Sequence, residues 1–137
     1  MPAAPTEREI AARILRDFHR VAVVGISDNP ARPSHRVASY LRDVGFEIIP
    51  VNPLLTRWRD LPCYASLRDA PRPIDVVDVF RRSELVPPVV DDAIAVGARA
   101  VWMQDGVIHH AAADKAHSAG LLVVMDRCML RDHMAMG

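Results

Sequence analysis

Short apolar runs alternate along this chain with stretches of helical periodicity. "VAVVG" (Val21 to Gly25) is apolar at both parities, as a strand buried on both faces of a parallel sheet should be. "FEIIPV" (Phe46 to Val51), "IDVVDVF" (Ile74 to Phe80), "RAVWMQ" (Arg99 to Gln104) and "LLVVM" (Leu121 to Met125) read the same way. Between them the spacing changes to that of helices. Thr6 followed by Glu9 fits a capping box, and Ile10, Ile14 and Phe18 line one face, which predicts a helix over 6–19. Ser34 can cap a helix ending near Gly45. "LPCYASLRDAP" predicts a short strand-like piece and one helical turn. Pro87 and Pro88 fit only a first helical turn, so the next helix starts near Val86 and stops at Gly97. "HHAAADKAHSAG" predicts a helix closed by Gly120, and "DRCMLRDHMAMG" matches neither period.

Strands separated by helices imply βαβ units with right-handed crossovers. The expected fold is α/β: a single-domain, doubly wound Rossmann-type sheet of five parallel strands, with helices on both faces and strand order 3-2-1-4-5. The domain spans 1–137, with an N-terminal helix, a core over 21–128 and a tail over 129–137 in which the methionines read as core filler and a mobile end. Ligands of such sheets bind beyond the carboxyl ends of the strands, at the topological switch point. In this order that point lies between strands one and four. The loops concerned are Gly25 to Ser34, Asn52 onward, Phe80 to Ser83, and Gln104 to Val107.

Composition narrows the ligand class. The 137 residues suit one domain, and half of them are hydrophobic. Lys plus Arg equals Asp plus Glu at 17 each, which argues against a dedicated nucleic-acid binder. Cys63 and Cys128 form no disulfide framework, consistent with a reducing compartment. The N-terminus carries charges throughout, and no apolar run approaches the ~20 residues needed to span a bilayer. A soluble cytoplasmic protein is expected.

The first loop, "GISDNP", departs from the dinucleotide fingerprint: Ser27 and Pro30 stand where its second and third glycines would be. Nicotinamide enzymes carry an acidic residue after strand two, where this chain has Asn52. A Walker A loop is also absent. The loop is still suited to phosphate. Amides after Gly25 and at the helix start can face an anion, Ser27 and Ser34 add hydroxyls, and Arg32 and Arg36 add positive charge. A capped surface helix with ordinary solvated arginines is the alternative reading.

The runs "VAVVGISDNPARPSHRVASYL", "GFEIIPVNP", "DVVDVFRRSE", "AIAVGARAVWMQDGV" and "AGLLVVMDRC" together resemble the small stand-alone CoA-binding proteins. These are similar to the CoA-binding domain of the succinyl-CoA synthetase α subunit. The resemblance covers about Val21 to Cys128 and implies coenzyme A as ligand. It places Gly25, Ile26, Ser27, Arg32, Pro33 and Ser34 against the CoA nucleotide, and Asn52 and Pro53 on the adenine side. Val79, Phe80 and Arg81 would wall the ligand, and Gln104 to Val107, with Gly106, would match the loop after strand four. Arg36 and Arg82 add cationic donors at the rim. "LLTRWRD" departs from the glycine- and lysine-containing family loop, which leaves the residue holding the 3′-phosphate open. No histidine matches the synthetases' phosphorylated one, so ligase activity does not carry over.

The remaining candidates have simpler readings. Trp102, in mid-strand, reads as core. Cys128 with His133 lacks the spacing of a metal site, and no metal is expected. Cys128 reads as a thiol at a strand end, with a disulfide to CoA as the other possibility. His109 and His110 read as a helix start. Asp75 and Asp78 need partners if buried, with loop amides or Arg81 as candidates. The resulting expectation is a non-catalytic carrier, sensor or partner module that binds CoA or an acyl-CoA. An enzyme acting on a CoA thioester, or an NAD(P)-dependent oxidoreductase, is the alternative. Protein partners and homo-oligomerisation are left open.

Overall fold

In the computed structural model, which describes residues 3–137, Thr6 caps a first helix, α1 (Glu7–Asp17), its Oγ1 accepting the Glu9 amide at 3.1 Å. Strand β1 (Arg20–Val24) follows, then α2 (Pro33–Asp43) and β2 (Glu47–Val51). A small antiparallel hairpin, β3 (Arg57–Trp58) and β4 (Leu61–Pro62), precedes β5 (Val76–Val79). The chain continues through α3 (Val86–Ala95), β6 (Ala100–Met103), α4 (His110–Ser118), β7 (Leu122–Val124) and α5 (Met129–Ala135).

The main sheet is parallel and five-stranded, in the order β2-β1-β5-β6-β7. A parallel bridge between Val51 and Tyr64 adds a rudimentary strand outside β2. Counting that bridge as the third strand, the order runs 3-2-1-4-5, with β7 as a sixth. The third place thus belongs to the Tyr64 segment. The Ile74 to Phe80 run is fourth, and lies between β1 and β6.

Side-chain parity divides the core into two layers. Val21 and Val23 of β1, Val76 of β5, and Ala100 and Trp102 of β6 face α1, α2 and α5. Ala22, Val24, Val77, Val79, Val101 and Met103 face α3 and α4. This is why the strands carry no polar alternation: each side chain has a helix to cover it.

Two expectations need correction. Ser34 does not cap α2. The cap position is Arg32, without a side-chain cap bond, and Ser34 lies inside the first turn. The segment 129–137 is not a mobile tail, because it contains α5. Met129 of that helix is fully buried, worth about 1.5–3 kcal/mol of apolar burial. Arg127 holds Asp132 at 2.7 and 3.0 Å, and the Tyr40 hydroxyl shares a 2.7 Å hydrogen bond with His133 Nδ1. These partners lie outside the helix, so its own short sequence could not reveal it.

Gly25 ends β1 at φ +88°. A Cβ there would sit against the Phe80 carbonyl oxygen, far inside contact distance. Gly25→Ala is therefore expected to cost about 3 kcal/mol or more, from backbone strain plus a clash with rigid main chain. Urea unfolding of the variant measures this; a loss below 1 kcal/mol would show that the two backbones can separate freely.

Candidate functional site

Beyond β1 and β5 the chain leaves the sheet toward opposite faces, and a cavity of about 650 Å³ opens there. Gly25, Ser27, Arg32, Pro33, Ser34, Arg36, Phe80 and Gln104, all singled out from the sequence, line it. Val37, Asp105, Val107, Cys128, Leu130 and Arg131 complete the wall. The expected residues Ile26, Asn52, Pro53, Val79, Arg81 and Gly106 do not border this cavity. Ile26 and Val79 are fully buried core, and Pro53 is exposed. Arg81 lines a second, smaller cavity of about 240 Å³ together with Val24, Val51 and Leu85.

The loop after β1 is held by side chains. The Ser27 amide donates to Ser34 Oγ at 2.9 Å, the Asn29 amide to Ser27 Oγ at 3.1 Å, and the Ala31 amide to Asn29 Oδ1 at 3.0 Å. Those amides are therefore not free for an anion, contrary to the simplest reading of the loop. Both serine hydroxyls keep a proton to donate. Among the described residues the Ser34 amide has no internal acceptor, and it lies at the positive end of the α2 dipole. Asn52 braces the loop from β2: its Nδ2 donates to the Ile26 carbonyl at 2.8 Å, and its Oδ1 accepts the Leu54 amide at 2.8 Å.

Trp58, in the small hairpin, supports the loop after β1, a role that sequence reading missed. Its indole is fully buried, and Nε1 donates to the Ser27 carbonyl at 2.9 Å. The ring of His35 packs against it at 5.2 Å between centroids. A buried tryptophan in an otherwise polar "LLTRWRD" stretch was the available signal.

Charge at the rim is unevenly paired. Arg131 binds Asp105 through two bonds of 2.8 and 3.0 Å, and this pairing holds the Asp105 carboxyl below the usual carboxylate range. Arg32 and Arg36 have no carboxylate within 4.0 Å among the described residues, although Arg36 donates to the Ala31 carbonyl at 3.2 Å. Two unpaired cations beside a helix N-terminus form a field suited to an anionic ligand.

Under the cavity floor lies Asp78, with no solvent exposure. Its expected partners were loop amides or Arg81. Its observed partner is Gln104, whose Nε2 donates to both carboxyl oxygens at 2.9 and 3.1 Å. Burial raises the Asp78 pKa well above the ordinary value, and the Gln104 bond opposes that shift only in part. Asp75 plays a different part: its Oδ2 accepts the Arg20 amide at 3.2 Å, and its carbonyl accepts from Arg99 and Ala100. Trp102 is core, as expected, with Nε1 donating to the Arg127 carbonyl at 2.9 Å. His109 caps α4 through Nδ1, which accepts the Ala112 amide at 3.0 Å. The ring of His133 packs edge-on against Tyr40 and Phe46. Among the described residues no cluster of His, Cys, Asp and Glu could hold a metal ion, and no helix is long and apolar enough to cross a membrane.

A doubly wound parallel sheet with its cavity at the switch point defines a Rossmann-type binding domain. The chain belongs to the CoA binding domain family, whose pattern matches residues 19–134. It is 40% identical over 129 residues to the uncharacterized protein YneT of Bacillus subtilis, covering 94% of this chain and 95% of that one. A hypothetical protein from Pyrococcus horikoshii OT3 superposes with a TM-score of 0.92 at 35% identity, over 100% of this chain and 99% of its own. A stretch of 81 residues is 31% identical to part of the ADP-forming acetate–CoA ligase II of Archaeoglobus fulgidus. That stretch is 58% of this chain but only 12% of the ligase.

The sign of the Asp78 shift gives a pH prediction. A carboxyl whose folded pKa is raised keeps its proton in the native state after the unfolded chain has lost it. Its contribution is whole below the unfolded value of about 3.9 and falls as pH rises toward the folded value. Asp78→Asn removes this loss, so the variant should gain stability relative to the parent between pH 5 and pH 8. Urea midpoints at the two pH values test it; parallel changes in both proteins would mean that Asp78 is not held protonated.

Proposed function

We propose that this protein binds coenzyme A, free or acylated, in the cavity at the switch point, and that it acts as a carrier, sensor or partner module without chemistry of its own. The observation that carries this reading is one cavity joining the α2 N-terminus and the unpaired Arg32 and Arg36 to an apolar wall of Val37, Phe80, Val107 and Leu130. CoA has matching halves. Its phosphates call for cationic and hydroxyl donors, and its pantetheine arm calls for a lined apolar channel. Ser27, Ser34 and the Ser34 amide would supply the uncharged donors. Membership of the CoA binding domain family supports the same ligand.

The nicotinamide reading is weaker on this geometry. Both polar atoms of the Asn52 side chain are engaged by the Ile26 carbonyl and the Leu54 amide. The position after β2 therefore carries no carboxylate for a ribose 2′-hydroxyl, and its amide is turned to the neighbouring backbone instead.

Isothermal titration separates the two readings. CoA should bind with micromolar affinity and NAD(P) should not. Arg32→Ala and Arg36→Ala should each weaken CoA about tenfold, the loss of one charge-assisted contact. Raising the ionic strength should weaken binding further. Absence of CoA binding alongside micromolar NAD(P) binding would reverse the assignment. Unchanged CoA affinity in both arginine variants would move the phosphates elsewhere.

A further inference from the structure

Gln104 is 3% exposed and lines the cavity. Both bonds of its side chain run from Nε2 to Asp78, which faces away from solvent beneath the floor. The carboxamide oxygen has no partner within the protein. Yet among the described residues no buried side-chain nitrogen or oxygen lacks one. That oxygen therefore keeps some accessible surface, on a residue that lines the cavity. Asp78 takes both of these contacts from Nε2, and even a protonated acid keeps its carbonyl oxygen as an acceptor there. With both contacts made by Nε2, the oxygen is the end of the amide left toward the cavity. The floor thus offers one acceptor, held in place by the two Nε2 bonds.

We infer that Gln104 Oε1 accepts a hydrogen bond from a secondary-amide N–H of the bound ligand, and that Asp78 is the positioning residue that presents this oxygen rather than the amide nitrogen. The inference rests on the CoA reading above, because the ligand's amide groups lie in its pantetheine arm. An acceptor that a bound ligand seals from water discriminates, since a ligand without the matching donor leaves it unpaired. The Asp78–Gln104 pair would therefore select for the arm of CoA, whereas Arg32 and Arg36 select for its phosphates. The two selections are separable because they act on different halves of one ligand.

The test uses the full chain and two probes: CoA, and adenosine 3′,5′-bisphosphate, which lacks the pantetheine arm. Gln104→Met removes the acceptor but leaves Asp78 buried without its partner, which is destabilising for reasons unrelated to binding. The double variant Asp78→Val/Gln104→Met avoids this, since replacing both partners of a buried pair by apolar groups is close to neutral. The double variant, shown to be folded by its melting transition, should bind CoA about three- to tenfold more weakly than the parent. Its affinity for the bisphosphate should stay within about twofold of the parent's, since no contact to the nucleotide is removed. Asp78→Val alone, with Gln104 kept but no longer anchored, should lose part of the same discrimination. Unchanged CoA affinity in the folded double variant overturns the inference and leaves the CoA reading standing. Equal loss for both probes also overturns it, because the pair would then act on the scaffold and not on the arm. Failure of the parent protein to bind either probe would instead refute the CoA reading and this inference with it.

Discussion

The architecture of the site depends on how closely two main chains approach at the switch point. Gly25 leaves β1 where a side chain would collide with the Phe80 carbonyl at the end of β5. The Gly25 amide is held by the Val51 carbonyl, and the Phe80 amide by the Val24 carbonyl. Three strand ends are thereby tied into one ridge. Phe80 and Arg81 fall on opposite sides of that ridge, one in each cavity. A crevice with fixed walls results from the sheet's own hydrogen bonding, before any ligand contributes.

The second layer of organisation replaces glycines with side chains. A loop with several glycines can turn its amides toward a pyrophosphate. Here Ser34, Asn29, Asn52 and Trp58 occupy the loop's own polar groups instead. What the loop offers a ligand is then set by hydroxyl protons, one helix-terminal amide and two arginines. Such a surface is stiffer, since three of these bonds draw on residues outside the loop: Asn52 just after β2, Trp58 from the hairpin and Ser34 from α2. The rim pair Arg131–Asp105 is exposed and contributes little to stability. Its effect is to fix one arginine against a neighbour while Arg32 and Arg36 stay uncommitted.

The main strands and both core layers could be read from the chain, because a strand covered on both faces leaves an unbroken apolar run. The place of the crevice followed from the strand alternation and the lone glycine. The parts that could not be read are those whose reasons lie far away in sequence. Gln104, the partner of Asp78, is 26 residues on, so the acid's environment was invisible locally. Helix α5 is too short to stand on its own periodicity, and is held by Met129 burial and by Tyr40. Asn52 was placed at the ligand because it follows β2. Its side chain faces the neighbouring loop, where Nδ2 donates to the Ile26 carbonyl, 26 residues away in sequence.

The chain contains two tryptophans, and each is anchored to a different wall of the cavity. Trp58 grips the Ser27 carbonyl in the loop after β1, and Trp102 grips the Arg127 carbonyl just before Cys128. Both indoles are fully buried, one beneath a surface hairpin and the other in the central sheet. The molecule therefore carries a pair of intrinsic chromophores already wired to two segments that flank the crevice. Replacing either one with phenylalanine leaves a single emitter, so the surroundings of each wall can be followed optically without an added label.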